Sequence, residues 1–538
     1  MTLDTDKKSA SFQQQAVILM VSTLIVRVLG FAYRVWMTDI VGDSGMGFNA
    51  GAYYIYMIIL IFSSAGLPSA ISKMVSERIA LRQFKESHKV FRTALFIAVT
   101  FGGAGSLLLA LSAKVLSALI GIQENYYSLI ALSPTILIAA ISAVYRGYFQ
   151  GMRNTVPTAV SQVTEQLFNA IFSVVFAYLL VKGGLEYGAA GGSIGTGIGA
   201  AAGVLVIIGI YQFMSSYIKK RLNSPNSSRA PIARSSELAK ELLRTAWPII
   251  IGMAVFTMSN VADILMAARR LTASGAFSYD EITVMFGWLT NKFNSLITMP
   301  VSFSTAVAVA AVPNIASAMK LRDFTDVSSK INDGLKLSMM LSIPAAVGLT
   351  VLGNPIIKML YPSHPDGGIL LQFGSVSIIF LAITQTATGM LQGIGKVKIP
   401  VLGALAGVAA KIILNYILIA IPSVNIVGAV ISTTMCYIIA GSIDVYFLWK
   451  YTRTRFDVSG ALIKPLGASA VMGLICYVFY STFLYVFNSN AVSVLLAVAL
   501  GIAVYFFLLA ALGGIDTKYA NRIPYIGKMV RRITGMLR

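Results

Sequence analysis

Residues 490–513 read NAVSVLLAVALGIAVYFFLLAALG, a run of 24 residues without one charged side chain. A helix of that length rises about 36 Å, enough to cross the roughly 30 Å hydrocarbon core of a bilayer. A soluble helix would carry a polar stripe along one face, and this run has none. Thirteen further apolar runs precede it, at 16–38, 50–74, 90–113, 126–150, 158–181, 191–216, 242–267, 283–311, 334–354, 368–391, 399–420, 425–449 and 465–486. The pattern predicts an all-α polytopic membrane protein with about 14 transmembrane helices. Composition agrees: 57% of the 538 residues are hydrophobic and 12% are charged, against about 25% charged in soluble domains.

The formal charge of +21 would suit a nucleic-acid partner, but its distribution argues otherwise. Thirty-three of the 42 Lys and Arg residues fall at the termini or in alternate gaps between apolar runs. Five fall on the opposite side (Lys114, Lys182, Arg269, Arg270 and Lys358) and four lie inside runs (Arg27, Arg34, Lys292 and Lys411). By the positive-inside rule, both termini are expected in the cytoplasm of a multi-pass plasma-membrane protein. No nucleic-acid partner is expected. Cys436 and Cys476 lie inside apolar runs and read as packing residues. His88 and His364 sit in separate polar gaps, so no metal set is expected. Walker motifs are absent and the outer gaps are too short for a catalytic site, so no enzyme and no cofactor is expected.

The longest polar segment, from Ser216 to Glu241, is rich in Ser and Asn around Pro225 and reads as a linker. It divides the chain into an N-lobe at 1–217, a linker at 218–241 and a C-lobe at 242–450, followed by two last helices and a basic tail at 451–538. A repeat supports two lobes. Gly147-Tyr148-Phe149-Gln150-Gly151 precedes Pro157, and Gly389-Met390-Leu391-Gln392-Gly393 precedes Pro400, 242 residues on. Parallel repeats of this kind are a transporter design.

Charges inside the runs are costly in hydrocarbon and mark cavities or ion pathways. Arg27 lies in mid-run, and Arg34 follows two turns later on a similar face. Lys292 lies within the eighth run. These three form a candidate cationic, substrate-binding set; an ion pair between Lys292 and Asp263 is the structural alternative for that lysine. Asp39, Glu165, Asp263 and Lys411 are candidates for gating or structural ion pairs. Lys411 also reads as a side chain snorkelling to the cytoplasmic surface, and Asp444 as an interfacial residue. Pro68 and Pro313 sit late in the second and eighth runs, where they would free carbonyls and allow a hinge.

Several stretches resemble a known family. They are Arg27-Val28-Leu29-Gly30-Phe31, Ala65-Gly66-Leu67-Pro68-Ser69-Ala70-Ile71-Ser72-Lys73, Tyr148-Phe149-Gln150-Gly151-Met152 with Pro157-Thr158-Ala159 and Gln162-Val163, and Pro313. Over nearly the whole chain they resemble the multidrug/oligosaccharidyl-lipid/polysaccharide (MOP) exporter superfamily. Within it they look most like the stage V sporulation protein B-like polysaccharide transporters and lipid II flippases of Gram-positive bacteria. The resemblance implies two six-helix lobes in alternating access, a cationic cavity for a diphosphate-sugar, and two extra helices that help form a groove for the lipid tail. The implied function is translocation of an undecaprenyl-pyrophosphate-linked sugar, lipid II first, from inner to outer leaflet. Another lipid-linked polysaccharide, a spore-cortex precursor or a drug is the alternative cargo. The implied partners are that glycolipid, bilayer lipids and cell-wall synthesis proteins, with the protein acting as a monomer. With no ATPase motif, the cycle would couple to the membrane potential or to a monovalent ion gradient. The Gram-negative flippases place a second Arg just before an Asp in the first helix; here Arg34 follows Tyr33 with no adjacent Asp.

Overall fold

A computed structural model describes residues 3–152, 154–222, 233–320 and 322–514. Part of the linker, 223–232, and the basic tail, 515–538, lie outside the described residues. Among the described residues the fold is entirely helical. Ten helices are long and apolar enough to cross a membrane, or eleven when the bent pair Gly368–Gly374 and Ser377–Gly393, angled at 56°, counts as one span. The protein is therefore an all-α, multi-pass membrane protein.

The helices cluster into two compact units. The first, Met1–Arg269 with Tyr279–Gly287, opens on α1 (Leu3–Leu60), which holds the first apolar run and the start of the second. The gap expected at 39–49 is instead a kink at Gly42, with φ 66° and ψ −179°. A side chain there would be strained, and glycine alone accepts the turn without cost. A π-helical turn (Ile61–Ala65) then leads into α2 (Leu67–Ala80), where Pro68 occupies the first turn. Its missing N–H costs nothing at that position. Next come α3 (Phe84–Ile120), α4 (Asn125–Gly151), α5 (Val156–Leu180), α6 (Leu185–Phe213), α7 (Ser215–Leu222), α8 (Ser235–Ser274) and α9 (Tyr279–Gly287).

The glycines of α6 serve close packing on α5. A Cβ at Gly191 would collide with the backbone of Phe176, and one at Gly199 with that of Glu165. Small residues of this kind let helices approach where lipid supplies no hydrophobic drive. Up to Arg269, α8 belongs to this first unit. Its Leu238, Leu242, Ala246 and Ile250 join a buried cluster with Leu67, Ile71, Phe91 and Phe149. Arg78 of α2 ties α3 and α8 together, bonding Glu86 at 3.0 Å and Glu241 at 2.7 Å.

The second unit, Arg270–Ser278 with Trp288–Arg538, begins its long helices with a π-helical segment (Trp288–Phe293) and α10 (Asn294–Lys320). It continues with α11 (Phe324–Leu360), α12 (Gly368–Gly374), α13 (Ser377–Gly393), α14 (Lys398–Leu418) and α15 (Val427–Thr452). Neighbour relations repeat those of the first unit. There α2 and α3 pack on α4, and α6 packs on both α4 and α5; here α10 and α11 pack on α13, and α15 packs on both α13 and α14. After a third π-helical turn (Ser459–Ile463), α16 (Lys464–Phe487) and α17 (Asn490–Ala511) pack on each other and on α11. Polar bonds fix that seam: Tyr505 Oη donates to the Met340 carbonyl at 2.7 Å, and Asn490 Nδ2 to that of Pro355 at 3.1 Å.

Candidate functional site

The first unit carries a polar band through apolar helices. On α1, Arg27, Gly30 and Arg34 share one face by their spacing of three and four residues. Arg27 is exposed and Arg34 half-buried. A Cβ built on Gly30 would stand 3.3 Å from Gln166 Nε2 of α5, so that amide lies against the arginine face. Gln166 Nε2 is buried and has no hydrogen-bond partner among the described residues. The rings of Tyr53 and Tyr56 lie on the same helix with centroids 5.7 Å apart. Glu165 closes the band on α4, where Arg146 Nη2 donates to its Oε2 at 2.5 Å and to Ser161 Oγ at 2.9 Å. Ser161 Oγ in turn donates to the Gly203 carbonyl of α6 at 3.1 Å.

A second, neutral network lines the same unit. Asn49 Nδ2 donates to the Ala189 carbonyl and to Ser193 Oγ, each at 3.0 Å. Ser173 Oγ donates to Asn169 Oδ1 at 2.8 Å and to the Gly192 carbonyl at 2.9 Å. Hydroxyls and amides satisfied in this way can be buried at little cost.

The other expected residues are dispersed. Asp39 is exposed on α1, and Asp263 on α8 is 2% exposed. Glu165, expected as a gating or structural partner, is bound by Arg146, a residue that sequence reading assigned to a cytoplasmic gap. In the second unit Lys292 is wholly buried in the π-helical segment. Its Nζ donates to the carbonyls of His364 at 2.7 Å and Asp366 at 3.0 Å, and stands 5.1 Å from the Tyr361 ring centre. The lysine thus holds the loop between α11 and α12 by its backbone. Lys411 is 0% exposed on the same face of α14 as Gly403, Gly407 and Asn415; it does not snorkel. Asp444 is 1% exposed on α15, and Thr388 Oγ1 of α13 donates to its Oδ2 at 2.8 Å. Pro68 stands where the π-helical turn gives way to α2, an interrupted backbone at the expected hinge. Pro313 lies within α10, and its side chain is outside the described residues.

Sequence reading missed Tyr53, Tyr54, Tyr56, Gln166 and Arg146. The run Tyr53-Tyr54-Ile55-Tyr56 was a usable signal, because hydroxyls in an apolar helix seek partners. Among the described residues no three His, Cys, Asp or Glu side chains form a metal-binding group.

Comparison with known proteins agrees with this architecture. The profile of the family described as polysaccharide biosynthesis protein matches residues 12–319, and that of MatE matches residues 248–417. An uncharacterized membrane protein of Bacillus subtilis (strain 168), YabM, is 28% identical over 96% of this chain and 96% of its own. The lipid II flippase MurJ of the same organism is 27% identical over 94% of this chain and 96% of its own. A solved structure of a lipid II flippase MurJ in an inward closed conformation matches with a TM-score of 0.68 at 19% identity, covering 92% of this chain and 98% of that one. That last likeness concerns the fold. The first profile spans more than half of the sequence, and the chain belongs to the polysaccharide biosynthesis protein family, within the MOP superfamily of membrane transporters.

Proposed function

We propose that this protein is a flippase that carries an undecaprenyl-pyrophosphate-linked sugar, lipid II first, from the inner to the outer leaflet by alternating access. The observation that carries the reading is the face of α1 formed by Arg27 and Arg34 beside the Gln166 amide. A pyrophosphate needs several donors and compensating positive charge, and guanidinium forks supply both. The near-full-length likeness to a protein named as a lipid II flippase supports the same cargo. In this reading Lys292 is a clamp on the loop between α11 and α12, and the cargo contacts fall to Arg27 and Arg34.

The reading includes fourteen spans. The stretch Ile25–Ile79 is long enough to cross twice about its Gly42 kink, and α8 and the helix run through α9 and α10 supply two more. Helices 1–6 and 7–12 would form the two lobes, with α16 and α17 beside them and both termini in the cytoplasm. The cycle would draw on the membrane potential or an ion gradient, at about 2.3 kcal/mol per charge per 100 mV.

The test is complementation in a strain lacking other flippases, with lipid II exposure on the outer leaflet as readout. Arg27→Ala and Arg34→Ala should reach the membrane at normal levels yet lower exposure about tenfold or more, and Arg27→Lys should recover part of it. Normal exposure with Arg27→Ala would refute the site; normal exposure after loss of the whole protein would refute the cargo. The MatE match favours a second reading, drug export. Two guanidiniums on one face would repel cationic drugs, so that reading predicts drug efflux that Arg27→Ala leaves unchanged or raises, never lowers.

A further inference from the structure

On α3, Lys85, Lys89, Arg92 and Phe96 follow one another at three- and four-residue steps, with His88 one turn from Lys85 and Arg92, which sets them on one face. That face and the start of α8 border an open cavity of about 680 Å³, lined on the α8 side by Ser235, Ser236 and Ala239. Three acids at the start of α3 and of α8 are otherwise engaged. Glu86 and Glu241 both bind Arg78, and Glu237 Oε2 accepts from the backbone N–H of Arg234 at 3.0 Å. Lys89 Nζ donates to the Ala233 carbonyl at 2.7 Å and so fixes the α8 entry against α3. Lys85 and Arg92 are exposed and take part in no hydrogen bond or ion pair among the described residues. His88 Nδ1 is buried with no hydrogen-bond partner there.

Three sources of positive potential therefore converge on one concavity: two uncommitted cations, the Lys89 ammonium, and the N-terminal amides of a 40-residue helix. The surroundings are apolar on one side only. Phe96 is 75% exposed at the end of the charged face, and farther along the same helix Leu107 and Leu111 are 65% and 83% exposed. Such a helix surface belongs in lipid, so its charged end belongs at the headgroups. We propose that this cavity binds the phosphate of an acidic phospholipid headgroup, with an acyl chain lying along Phe96. The site is separate from the Arg27 and Arg34 face and does not depend on the cargo.

The test uses the purified full-length protein and native mass spectrometry. Phosphatidylglycerol should be retained at least tenfold better than phosphatidylcholine of the same chain length, and millimolar inorganic phosphate should not displace it. The double variant Lys85→Ala/Arg92→Ala should lose that preference. Lys219→Ala/Lys220→Ala, which removes the same charge from α7, should keep it. Phe96→Ala should weaken retention of the lipid but leave binding of water-soluble glycerophosphate unchanged, and this arm decides the matter if the double variant proves unstable. Equal retention of the two lipids, equal losses in both double variants, or unchanged lipid retention in Phe96→Ala would overturn the proposal. Displacement by inorganic phosphate at the concentration that suits the lipid would make the cavity a free-anion site and overturn the lipid assignment.

Discussion

The corner around Gly147 in the first unit and the corner around Gly389 in the second share a backbone plan and differ in chemistry. A Cβ on Gly147 would stand 2.8 Å from the Pro68 carbonyl oxygen, and one on Gly389 would stand 2.9 Å from that of Ala308. In both, a glycine of one helix seats the backbone of another. The preceding residue differs. Arg146 bridges α4 to α5 through Glu165, whereas Thr388 joins α13 to α15 through Asp444. The first corner is an ion pair whose Nη2 also donates to Ser161 Oγ, while Arg146 Nε is buried with no hydrogen-bond partner among the described residues. The second is a carboxyl with a single hydroxyl donor, and its Oδ1 has no hydrogen-bond partner among the described residues. Steric demand has kept the repeat recognisable, while its electrostatics have diverged.

The largest effect should come from breaking the shared element. Gly147→Val and Gly389→Val would each push a branched side chain into neighbouring backbone, at a cost of about 3 kcal/mol or more. Both should lower the thermal unfolding temperature of the detergent-purified protein sharply. Tolerance of one but not the other would end the claim that the corners are equivalent.

A smaller effect is expected from Arg146→Ala. Side-chain exposures of 17% and 34% place its pair between buried and surface ion pairs, so the loss should be about 1–3 kcal/mol. Removing Glu165 as well should restore part of it, as a double-mutant cycle would reveal. If the two single losses simply add, the bond carries no coupling. The smallest change belongs to Asp444→Asn. Its amide oxygen can still accept from Thr388, and no buried carboxylate remains, so stability should stay within about 1 kcal/mol. A large loss would mean that Asp444 answers a cation, and the contrast between the corners would disappear.

How much of this was legible beforehand follows from where each signal is written. Apolar length is a property of a continuous stretch, so the predicted runs fall on helical segments, 50–74 and 283–311 interrupted by a π turn and 368–391 by a 56° bend, and the last run falls on α17 (Asn490–Ala511). The glycine repeat was legible because close approach leaves one residue type. The kink at Gly42 was not, since nothing in Val41-Gly42-Asp43 separates a kinked helix from a loop. The bonds of Lys292 to the backbone carbonyls of His364 and Asp366 were not legible either, because a backbone acceptor leaves no mark in composition. Arg146 and Arg78 were counted as solvated gap charges because their acids, Glu165 and Glu241, lie far off in sequence. Of the proposed site, the two arginines were proposed from their place in the first apolar run, whereas the nearness of Gln166 needed the packing of α1 on α5.

The π-helical turns carry a consequence for how force passes along the chain. A π turn inserts one residue into a helix, and one residue amounts to about 100° of rotation about the axis. The stripe that a helix presents before Ile61–Ala65 is therefore out of phase with the stripe it presents after Ala65, and the same holds across Trp288–Phe293. Each behaves like a screw thread with an offset. Moving the inserted residue one place along would turn one end of the helix against the other while exchanging, rather than losing, a backbone hydrogen bond. The helix leading to Pro68 and the helix holding Lys292 thus each contain a built-in rotary joint, a means of re-aiming side chains that does not require either helix to unwind.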